Sequence, residues 1–289
     1  MTVRTLLGKP VALLPDGVER RLRGAVLRFD NRAEERALAR ELAAKESGRE
    51  LHRGLPVPPA LLRVRVSSWR AEREEWLQSG ELDARLIQEL ISGNGYDLER
   101  MGLILDFGCG CGRVARNWSG LEGIEVHGAD VDRPAIRWCR RNLPFLQAIR
   151  SDPAPPLPYP DGRFDLVYAL SVLTHLPEQA GRDWVAELVR IVKPGGLLLF
   201  TVHGERFTRA LGEEDRRRFA AGEIVITESH EYAGTNRYGA FHPPSYVTGE
   251  LLPPLGVELL DTVYDVPAGG EGFSPMPIQD NYLVRRPGI

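Results

Sequence analysis

A glycine-rich segment that directly follows an apolar stretch constrains the fold of this chain more than any other feature of its sequence. LILDF (103–107) reads as a buried strand, and the next five residues, 108–112, are Gly-Cys-Gly-Cys-Gly. Because glycine has no Cβ, such a loop turns tightly and lets a ligand approach its backbone closely. One carboxylate, Asp106, precedes the loop, and another, Asp130, ends the next predicted strand, where it can accept hydrogen bonds from both hydroxyls of a ribose. The pattern predicts a nucleotide-binding strand–loop–helix unit.

The spacing of the glycines bears on which nucleotide the loop binds. A dinucleotide-binding loop has the form GxGxxG, in which the third glycine allows close packing of the helix. Counted from Gly108 and Gly110, that third position is Arg113. The carboxylate of Asp106 would repel a pyrophosphate but suits a cationic amino group. S-adenosylmethionine has a sulfonium and an α-amino group and no phosphate, so the electrostatics favour it over a nicotinamide dinucleotide.

From residue 103 onward, predicted strands alternate with predicted helices. The strands are 103–107, 124–130, 164–170 and 197–202; the helices are 113–118, 133–142 and 177–192, the last of them ended by Lys-Pro-Gly-Gly at 193–196. Strands that are apolar on both faces and alternate with helices indicate a parallel sheet covered by helices. The tail differs, because 256–266 and 280–286 read as two strands with no helix between them. We expect an antiparallel hairpin there.

The residues before this region have another character. Helical patterns cover 31–46 and 69–91, and we expect Ser79-Gly80 to divide the second pattern into two helices. A proline-rich breaker and a short strand-like RVRVS (63–67) lie between the two patterns. Residues 204–255 are polar and rich in Gly, Pro and Tyr, as lids and binding loops are. We therefore predict a mainly helical N-terminal extension or cap over residues 1–98 and an α/β domain over 99–289, with a lid-like insertion at 204–255.

Composition argues against several classes of protein. Lys and Arg number 37 against 40 Asp and Glu, a net charge of −3, whereas a protein that neutralises phosphates to bind nucleic acid should be clearly basic. No apolar run is long enough to predict a membrane span, and the N-terminal residues lack the pattern of a secretory signal. The three cysteines form no disulfide framework and, without a histidine cluster, no zinc site. We expect a cytoplasmic protein with no metal, no membrane association and no nucleic-acid partner.

Four segments together resemble the successive motifs of class I S-adenosylmethionine-dependent methyltransferases: ILDFGCGCGR, VHGADVD, LPYPDGRFDLVYALSVLTHLPE and LVRIVKPGGLLLFTV. They occur in that family's order and cover about residues 100–203. The resemblance implies a Rossmann-like α/β fold, with a seven-stranded, mostly parallel sheet whose last strand is antiparallel. It also implies S-adenosyl-L-methionine as the cofactor, S-adenosyl-L-homocysteine as the product, and transfer of a methyl group.

The binding residues of the family carry over onto matching positions of this sequence. The resemblance assigns the methionine part of the cofactor to Asp106 and to the backbone of Gly108, Gly110 and Gly112, and it includes Cys109 and Arg113 among the cofactor-binding residues. It places Asp130, with Val131 beside it, at the ribose, and Asp152 beside the adenine amino group. Leu170 and Ser171, which end the strand at 164–170, would line the cofactor near its methyl group.

The acceptor is constrained mainly by what the motifs lack. The strand at 164–170 is followed by SVLTH, not by the Asn/Asp-Pro-Pro-Tyr of relatives that methylate base or glutamine nitrogens. No triad of acids accompanies the motifs as a magnesium site would require. The resemblance therefore favours a small-molecule acceptor, methylated on oxygen rather than nitrogen. A small-molecule N-methyltransferase, a nicotinamide-dependent oxidoreductase and a non-catalytic protein that binds S-adenosylmethionine stay open as alternatives, as does a homodimer.

A hydroxyl acceptor must lose a proton, and histidine suits that task because its pKa lies near neutrality. The candidates are His175 after the strand at 164–170, His203 after the strand at 197–202, and His242 in YGAFHPPSY. For each of them a core or capping role is the commoner one, and the sequence leaves the choice open. The insertion also has four aromatic residues that would form either a pocket wall or a small core beneath a loop: Tyr232, Tyr238, Phe241 and Tyr246.

Overall fold

The computed structural model describes residues 33–46, 50–67, 71–227, 234, 238–263 and 279–288. The first 32 residues, where a secretory signal was not expected, and Tyr232 of the aromatic group lie outside these ranges. Within the described ranges, every helix is too short or too polar to cross a lipid bilayer.

Three helices and a small hairpin form the described N-terminal part. They are α1 (33–45), β1 (Leu51–His52), β2 (Leu55–Pro56), α2 (Ala60–Val66) and α3 (Arg73–Gly93). The two short strands pair with each other in antiparallel fashion. The position of α1 agrees with the helical sequence pattern at 31–46.

A seven-stranded sheet with its helices makes up the larger part. Its elements are β3 (Leu103–Phe107), β4 (Glu125–Asp130), α4 (Arg133–Asn142), β5 (Leu146–Arg150), β6 (Phe164–Ala169), α5 (Glu178–Ile191) and β7 (Val192–Val202). The insertion adds α6 (Glu213–Ala220), β8 (Val225–Thr227) and β9 (Gly239–Phe241), and the tail adds β10 (Glu258–Val263) and β11 (Asp280–Arg285). The strand order is β10-β11-β7-β6-β3-β4-β5.

The direction of the strands confirms the predicted fold class. The neighbouring strands β5, β4, β3, β6 and β7, in this spatial order, are all parallel. Strand β11 is antiparallel to both of its neighbours, β7 and β10. The predicted hairpin of the tail is therefore present. Because β11 runs against the others, its amino-terminal end lies at the edge where the parallel strands have their carboxyl ends.

Alternation of side chains along the strands builds a core on each face of the sheet. In β7, Leu197 and Leu199 pack in the cluster that includes α3 and α4, whereas Leu198 and Phe200 pack in the cluster that includes α5. Successive side chains of a strand point to opposite faces, so an apolar run such as LLLF is buried on both. By the same alternation, Thr201 lies on the face of α3 and α4.

The expectation that RVRVS (63–67) is a strand is wrong, because α2 covers most of it. Pro59, with a φ of −55°, precedes the first turn of this helix. The Arg63 guanidinium is 1% exposed, donates hydrogen bonds to Ala71 O at 2.9 Å and Pro58 O at 2.6 Å, and pairs with Glu46. These tertiary contacts need the helical position of Arg63 and outweigh the strand preference of the valines.

The predicted break at Ser79-Gly80 is also wrong, since α3 runs without interruption from Arg73 to Gly93. Ser79 donates its hydroxyl to Trp76 O at 2.8 Å, within the helix. A Cβ on Gly80 would lie 2.2 Å from Arg113 O. The glycine therefore marks a close contact between α3 and the residues after the glycine-rich loop, and not a break in the helix.

Three smaller differences concern the α/β region. The predicted helix at 113–118 is a single 3₁₀ turn, Ala115–Trp118, and the Lys-Pro-Gly-Gly of 193–196 lies inside β7, because α5 already ends at Ile191. The edge strand β5 was not recognised as a strand. Only one face of β5 is well covered and it pairs with β4 alone, so its sequence lacks the continuous apolar run of the central strands.

We predict that Gly80→Ala destabilises the protein by about 1–3 kcal/mol, because the new methyl group forces α3 away from the Arg113 backbone. Gly93, in the same helix, has open space within 4 Å of the position that a Cβ would take, so Gly93→Ala is the matched control. It should leave stability unchanged or raise it by up to about 1 kcal/mol through helix propensity. Urea unfolding of the two variants measures both effects. Equal stability of the two variants would contradict the close contact.

Candidate functional site

A cleft of about 1190 Å³ lies at the carboxyl ends of β3, β4, β6 and β7, the edge at which open α/β sheets bind ligands. Nine of the predicted cofactor residues line it: Asp106, Gly108, Cys109, Gly110, Arg113, Asp130, Val131, Leu170 and Ser171. Gly112 and Asp152 are not part of the lining. The sequence pattern and the fold thus bring most of these positions to one surface.

The glycine-rich loop needs its glycines for conformation and for packing. Gly108, Gly110 and Gly112 have φ values of +81°, +51° and +78°, in the region that favours glycine. A Cβ on Gly108 would lie 2.4 Å from Val172 Cγ2, and one on Gly110 would lie 2.5 Å from Val66 Cγ2. Close packing by neighbouring side chains is a reason for these glycines beyond the approach of a ligand.

The loop is fastened to the end of β4. The backbone N–H groups of Gly108 and Cys109 donate to Ala129 O at 2.8 and 3.2 Å. The Gly110 N–H donates to Asp130 Oδ2 at 2.7 Å, and the Asp132 N–H donates to Asp130 Oδ1 at 2.7 Å. Each carboxylate oxygen of Asp130 keeps a further lone pair for a ligand hydroxyl. Asp130 therefore holds the loop in place at the position predicted for the ribose.

Asp106 is a buried carboxyl at the inner end of the cleft. Its exposed fraction is 4%, and it hydrogen-bonds Tyr168, whose hydroxyl accepts from Trp118 Nε1 at 2.8 Å. Burial raises the pKa of Asp106 to about 7, against the opposing effects of the Tyr168 hydrogen bond and the Arg113 charge. Because a nearby cation favours the ionised form, the site is electrostatically suited to a ligand ammonium group.

The residue predicted to lie beside the adenine amino group does not line the cleft. Asp152 is exposed and lies outside the lining, whereas its neighbours Ser151 and Pro153 line the cleft. The Ser151 hydroxyl is buried and has no hydrogen-bond partner among the described residues. Val131, 48% exposed, lines the same end of the cleft. Ser151, which stands directly before Asp152, was not among the residues predicted from the sequence.

The end of β6 carries a strained residue. Ser171 has a φ of +56°, and a non-glycine residue in this region stores strain that is common at functional sites. Its N–H donates to Thr201 Oγ1 at 2.8 Å. Thr201, Gln279 and Asn281 also line the cleft, and sequence reasoning missed all three. A signal was present for Thr201 alone, which interrupts the apolar run LLLFTV of β7, whereas Asn281 follows Asp280 at the start of β11.

Two of the three candidate histidines lie together in the cleft. The rings of His175 and His203 both line it, with their centroids 6.4 Å apart. His175 Nδ1 lies 2.9 Å from Tyr238 O. Because a carbonyl oxygen only accepts, Nδ1 must hold the proton, and Nε2 of the neutral ring has a free lone pair. Burial lowers the pKa of His175, so this form prevails at neutral pH.

His203 is less suited to hold a proton. Its ring stacks on Phe207 with a centroid distance of 4.2 Å, and its Nδ1 has no hydrogen-bond partner among the described residues. Burial, with smaller effects of His175 and His242, lowers its pKa to about 3. His242 is buried, has a pKa lowered to about 4 by desolvation, and does not line the cleft.

The expected aromatic group of the insertion does not form one wall. Tyr238 packs with Ala240, Phe241 packs in a separate cluster with Phe219, and Tyr246 belongs to the core on the α5 side of the sheet. None of the three described members lines the cleft. Phe207 and Gly234 do, so the insertion reaches the cleft through other residues than those predicted.

The N-terminal part also contributes residues to the lining of the cleft. Val66 of α2 contacts the loop at Gly110, and Arg65 Nη1 lies 3.2 Å from Asp132 Oδ2. Glu35 of α1 also lines the cleft and lies 3.4 Å from Arg65 Nε. In the described part of the chain, no group of three or more His, Cys, Asp or Glu side chains is placed to hold a metal ion.

Part of this chain is similar in sequence to known proteins. A family model described as "Methyltransferase domain" matches residues 105–200. The 2-methyl-6-phytyl-1,4-hydroquinone methyltransferase of Synechocystis sp. is 32% identical over 108 residues, which are 37% of this chain and 33% of that protein. The 27-O-demethylrifamycin SV methyltransferase of Amycolatopsis mediterranei is 28% identical over 152 residues, 49% of this chain and 54% of that protein. The chain thus spans only a third to about half the length of these relatives.

A solved structure agrees in fold over a larger share of the chain. The S-adenosylmethionine-dependent methyltransferase of Methanosarcina mazei superposes with a TM-score of 0.52 at 19% identity, covering 68% of this chain and 98% of that one. At this identity the likeness shows the fold alone. Residues 105–200 thus match the methyltransferase family model, and the strand order agrees with the fold of a solved S-adenosylmethionine-dependent methyltransferase.

Proposed function

We propose that this protein is an S-adenosylmethionine-dependent methyltransferase that methylates a hydroxyl group of a small molecule. The observation that carries the proposal is a single cleft in which Asp106, Asp130 and His175 lie along one edge of the sheet. The bound cofactor would supply an activated methyl group on its sulfonium. The chain's own residues would have to bind the cofactor, orient the acceptor and remove the proton of its hydroxyl group.

The residues present fit this cofactor. An ammonium group beside Asp106 would offset the cost of ionising this buried carboxyl. Asp130 has lone pairs for ribose hydroxyls. Val131, exposed beside Asp130, offers an apolar surface for the base, and the unpartnered Ser151 hydroxyl offers a polar contact at the same end. Leu170 and Ser171 stand at the end of β6, where we place the methyl group.

His175 is the residue we propose as general base. Its Nδ1–H is held by the Tyr238 carbonyl, which orients the ring and leaves Nε2 to accept the proton of an acceptor hydroxyl. The deprotonated acceptor oxygen would be the nucleophile that receives the methyl group, which the cofactor would supply when bound. His203, with its low pKa and its contact with Phe207, would serve as a wall of the acceptor space.

The described parts of the two additions would enclose this cleft. Residues 1–98 act in our proposal as a cap, through Arg65 and Val66, and residues 204–255 act as a lid-like insertion, through Phe207 and Gly234. The relatives named above methylate hydroquinone or rifamycin compounds by their names, which supports a small-molecule acceptor. We place the protein in the cytoplasm on the basis of its composition.

Calorimetry with S-adenosylmethionine, S-adenosylhomocysteine and NADH tests the proposed function. We expect both sulfur nucleotides to bind in the micromolar range, NADH not to bind, and Asp130→Ala to weaken both sulfur nucleotides by at least roughly tenfold. Asp183→Ala, an exposed aspartate of α5 outside the cleft, is the matched control. Binding of NADH in preference to both sulfur nucleotides would support the oxidoreductase alternative and reject ours.

The raised pKa of Asp106 predicts that binding of S-adenosylhomocysteine releases protons near pH 7. The free carboxyl is about half protonated at that pH, and an ammonium group would drive it to ionise. Affinity should therefore rise between pH 6 and pH 8, and calorimetry in buffers of different ionisation enthalpy should detect the released proton. Asp106→Asn should lose this part of the pH dependence, while the ligand's own titration is common to both proteins. An unchanged pH dependence in the variant would contradict the contact.

His175→Gln should lower kcat by roughly 10²–10⁴-fold with little change in the KM for S-adenosylmethionine, if Nε2 takes the acceptor proton. The acid limb of the pH–rate profile should lie below pH 6.5, because burial lowers the pKa of His175, and should disappear in the variant. His242→Gln, a buried histidine outside the cleft, is the control and should affect stability without removing that limb. Full kcat in His175→Gln would exclude this base.

A further inference from the structure

We propose that the side-chain oxygen of Asn281 accepts a hydrogen bond from a second hydroxyl of the methyl acceptor, and that the acceptor is therefore an uncharged molecule with two hydroxyl groups. The inference rests on the proposed methyltransferase function and names the substrate class of the same cleft. Asn281 lies near the start of β11 and is 2% exposed. It lines the cleft.

The orientation of the Asn281 amide follows from its neighbour. Asn281 Nδ2 lies 2.8 Å from the backbone oxygen of Gln279, and a carbonyl oxygen only accepts. The NH₂ group must therefore point to Gln279, and Oδ1 must be the atom on the other side. That oxygen is buried and has no hydrogen-bond partner among the described residues.

The Thr201 hydroxyl beside Asn281 has already used its proton. Thr201 is the cross-strand partner of Asn281, so the two side chains lie on the same face of the sheet. Thr201 Oγ1 accepts the Ser171 N–H, so its own proton is free to point to Gln279 Oε1, with which it is hydrogen-bonded. Neither group offers a proton to Asn281 Oδ1. Since the described residues offer no donor to Asn281 Oδ1, a ligand hydroxyl would supply one and would offset the cost of leaving this buried oxygen unpaired.

The position of Asn281 separates this contact from the reacting atoms. The methyl group is placed at the end of β6, and β7 lies between β6 and β11. Two steps between neighbouring strands amount to about 10 Å. Asn281 Oδ1 would thus bind a second group of the acceptor, while the first hydroxyl faces His175.

Charge in the cleft is confined to the half assigned to the cofactor. The charged residues among its described lining are Glu35, Arg65, Asp83, Asp106, Arg113, Asp130, Asp132 and Arg133. The lining near Asn281 is neutral and includes Thr201, Gln279 and Phe207. A carboxylate or phosphate on the acceptor would find no compensating cation among these described residues, so an uncharged, largely apolar acceptor fits best.

Binding of three rigid probes to the complex with S-adenosylhomocysteine tests the inference. They are 4,4′-dihydroxybiphenyl, its mono-methyl ether, and 4′-hydroxybiphenyl-4-carboxylate. Each has one hydroxyl for the reacting position, and they differ at the far end. For the wild-type protein we expect the diol to bind roughly tenfold more tightly than the ether and the carboxylate, because only the diol has a donor for Asn281 Oδ1.

Asn281→Leu, with Asn281→Ala as a second variant, should bind the diol and the ether equally. Thr174→Val is the matched control, since the Thr174 hydroxyl is also buried and unpartnered but does not line the cleft. It should keep the preference. Unchanged affinity for S-adenosylhomocysteine shows that each variant is folded.

The outcomes separate this inference from the proposed function. Failure of the wild-type protein to bind S-adenosylhomocysteine would reject the methyltransferase function itself. Normal binding of S-adenosylhomocysteine, with no preference for the diol or with a preference that persists in Asn281→Leu and Asn281→Ala, would reject only the role of Asn281. Equal affinity for the carboxylate and the diol would reject the uncharged acceptor.

Discussion

The attachment of the glycine-rich loop to the end of β4 is the interaction on which the rest of the site depends. Three successive backbone N–H groups of the loop donate to Ala129 O and Asp130 Oδ2. This fixes where the loop turns and so where the cleft begins. The same loop is held from the outside by Val66 of α2 and by the Arg113 contact with α3. The N-terminal helices and the sheet therefore share one rigid boundary of the cleft.

Charged and neutral residues line different parts of the cleft, following the order of its strands. Charged groups gather near β3 and β4, where Asp106 and Asp130 stand, and neutral polar groups lie near β7 and β11. A cofactor with an ammonium group and a ribose suits the first half. A hydroxylated apolar acceptor suits the second. The register of the sheet causes this division, since Asp106, Thr201 and Asn281 come from different strands but reach the same edge and face.

Much of this was predictable, for physical reasons that concern particular residues. Apolar runs such as LILDF and LLLFTV predict buried parallel strands, and the closely spaced glycines predict the loop, in which they take positive φ values. Both patterns depend only on residues that are neighbours in sequence. Errors occurred where distant contacts decide. Arg63 makes RVRVS helical through Glu46 and Ala71, and Gly80 fits against Arg113 across more than 30 residues of sequence. Ser151 and Asn281 were missed because only the pairing of distant strands brings them to the cleft, whereas Thr201 was marked by its place in an apolar run.

A crystal structure of the protein with S-adenosylhomocysteine tests the central claim most directly, because it shows whether one cleft holds the cofactor as its residues suggest. The account predicts the ligand's amino group beside Asp106, its ribose hydroxyls at Asp130, its adenine between Val131 and Ser151, and its sulfur facing Ser171. The space between the sulfur and His175 should remain open toward Asn281. A ligand bound elsewhere, or bound in this cleft with its ribose away from Asp130, would contradict the account.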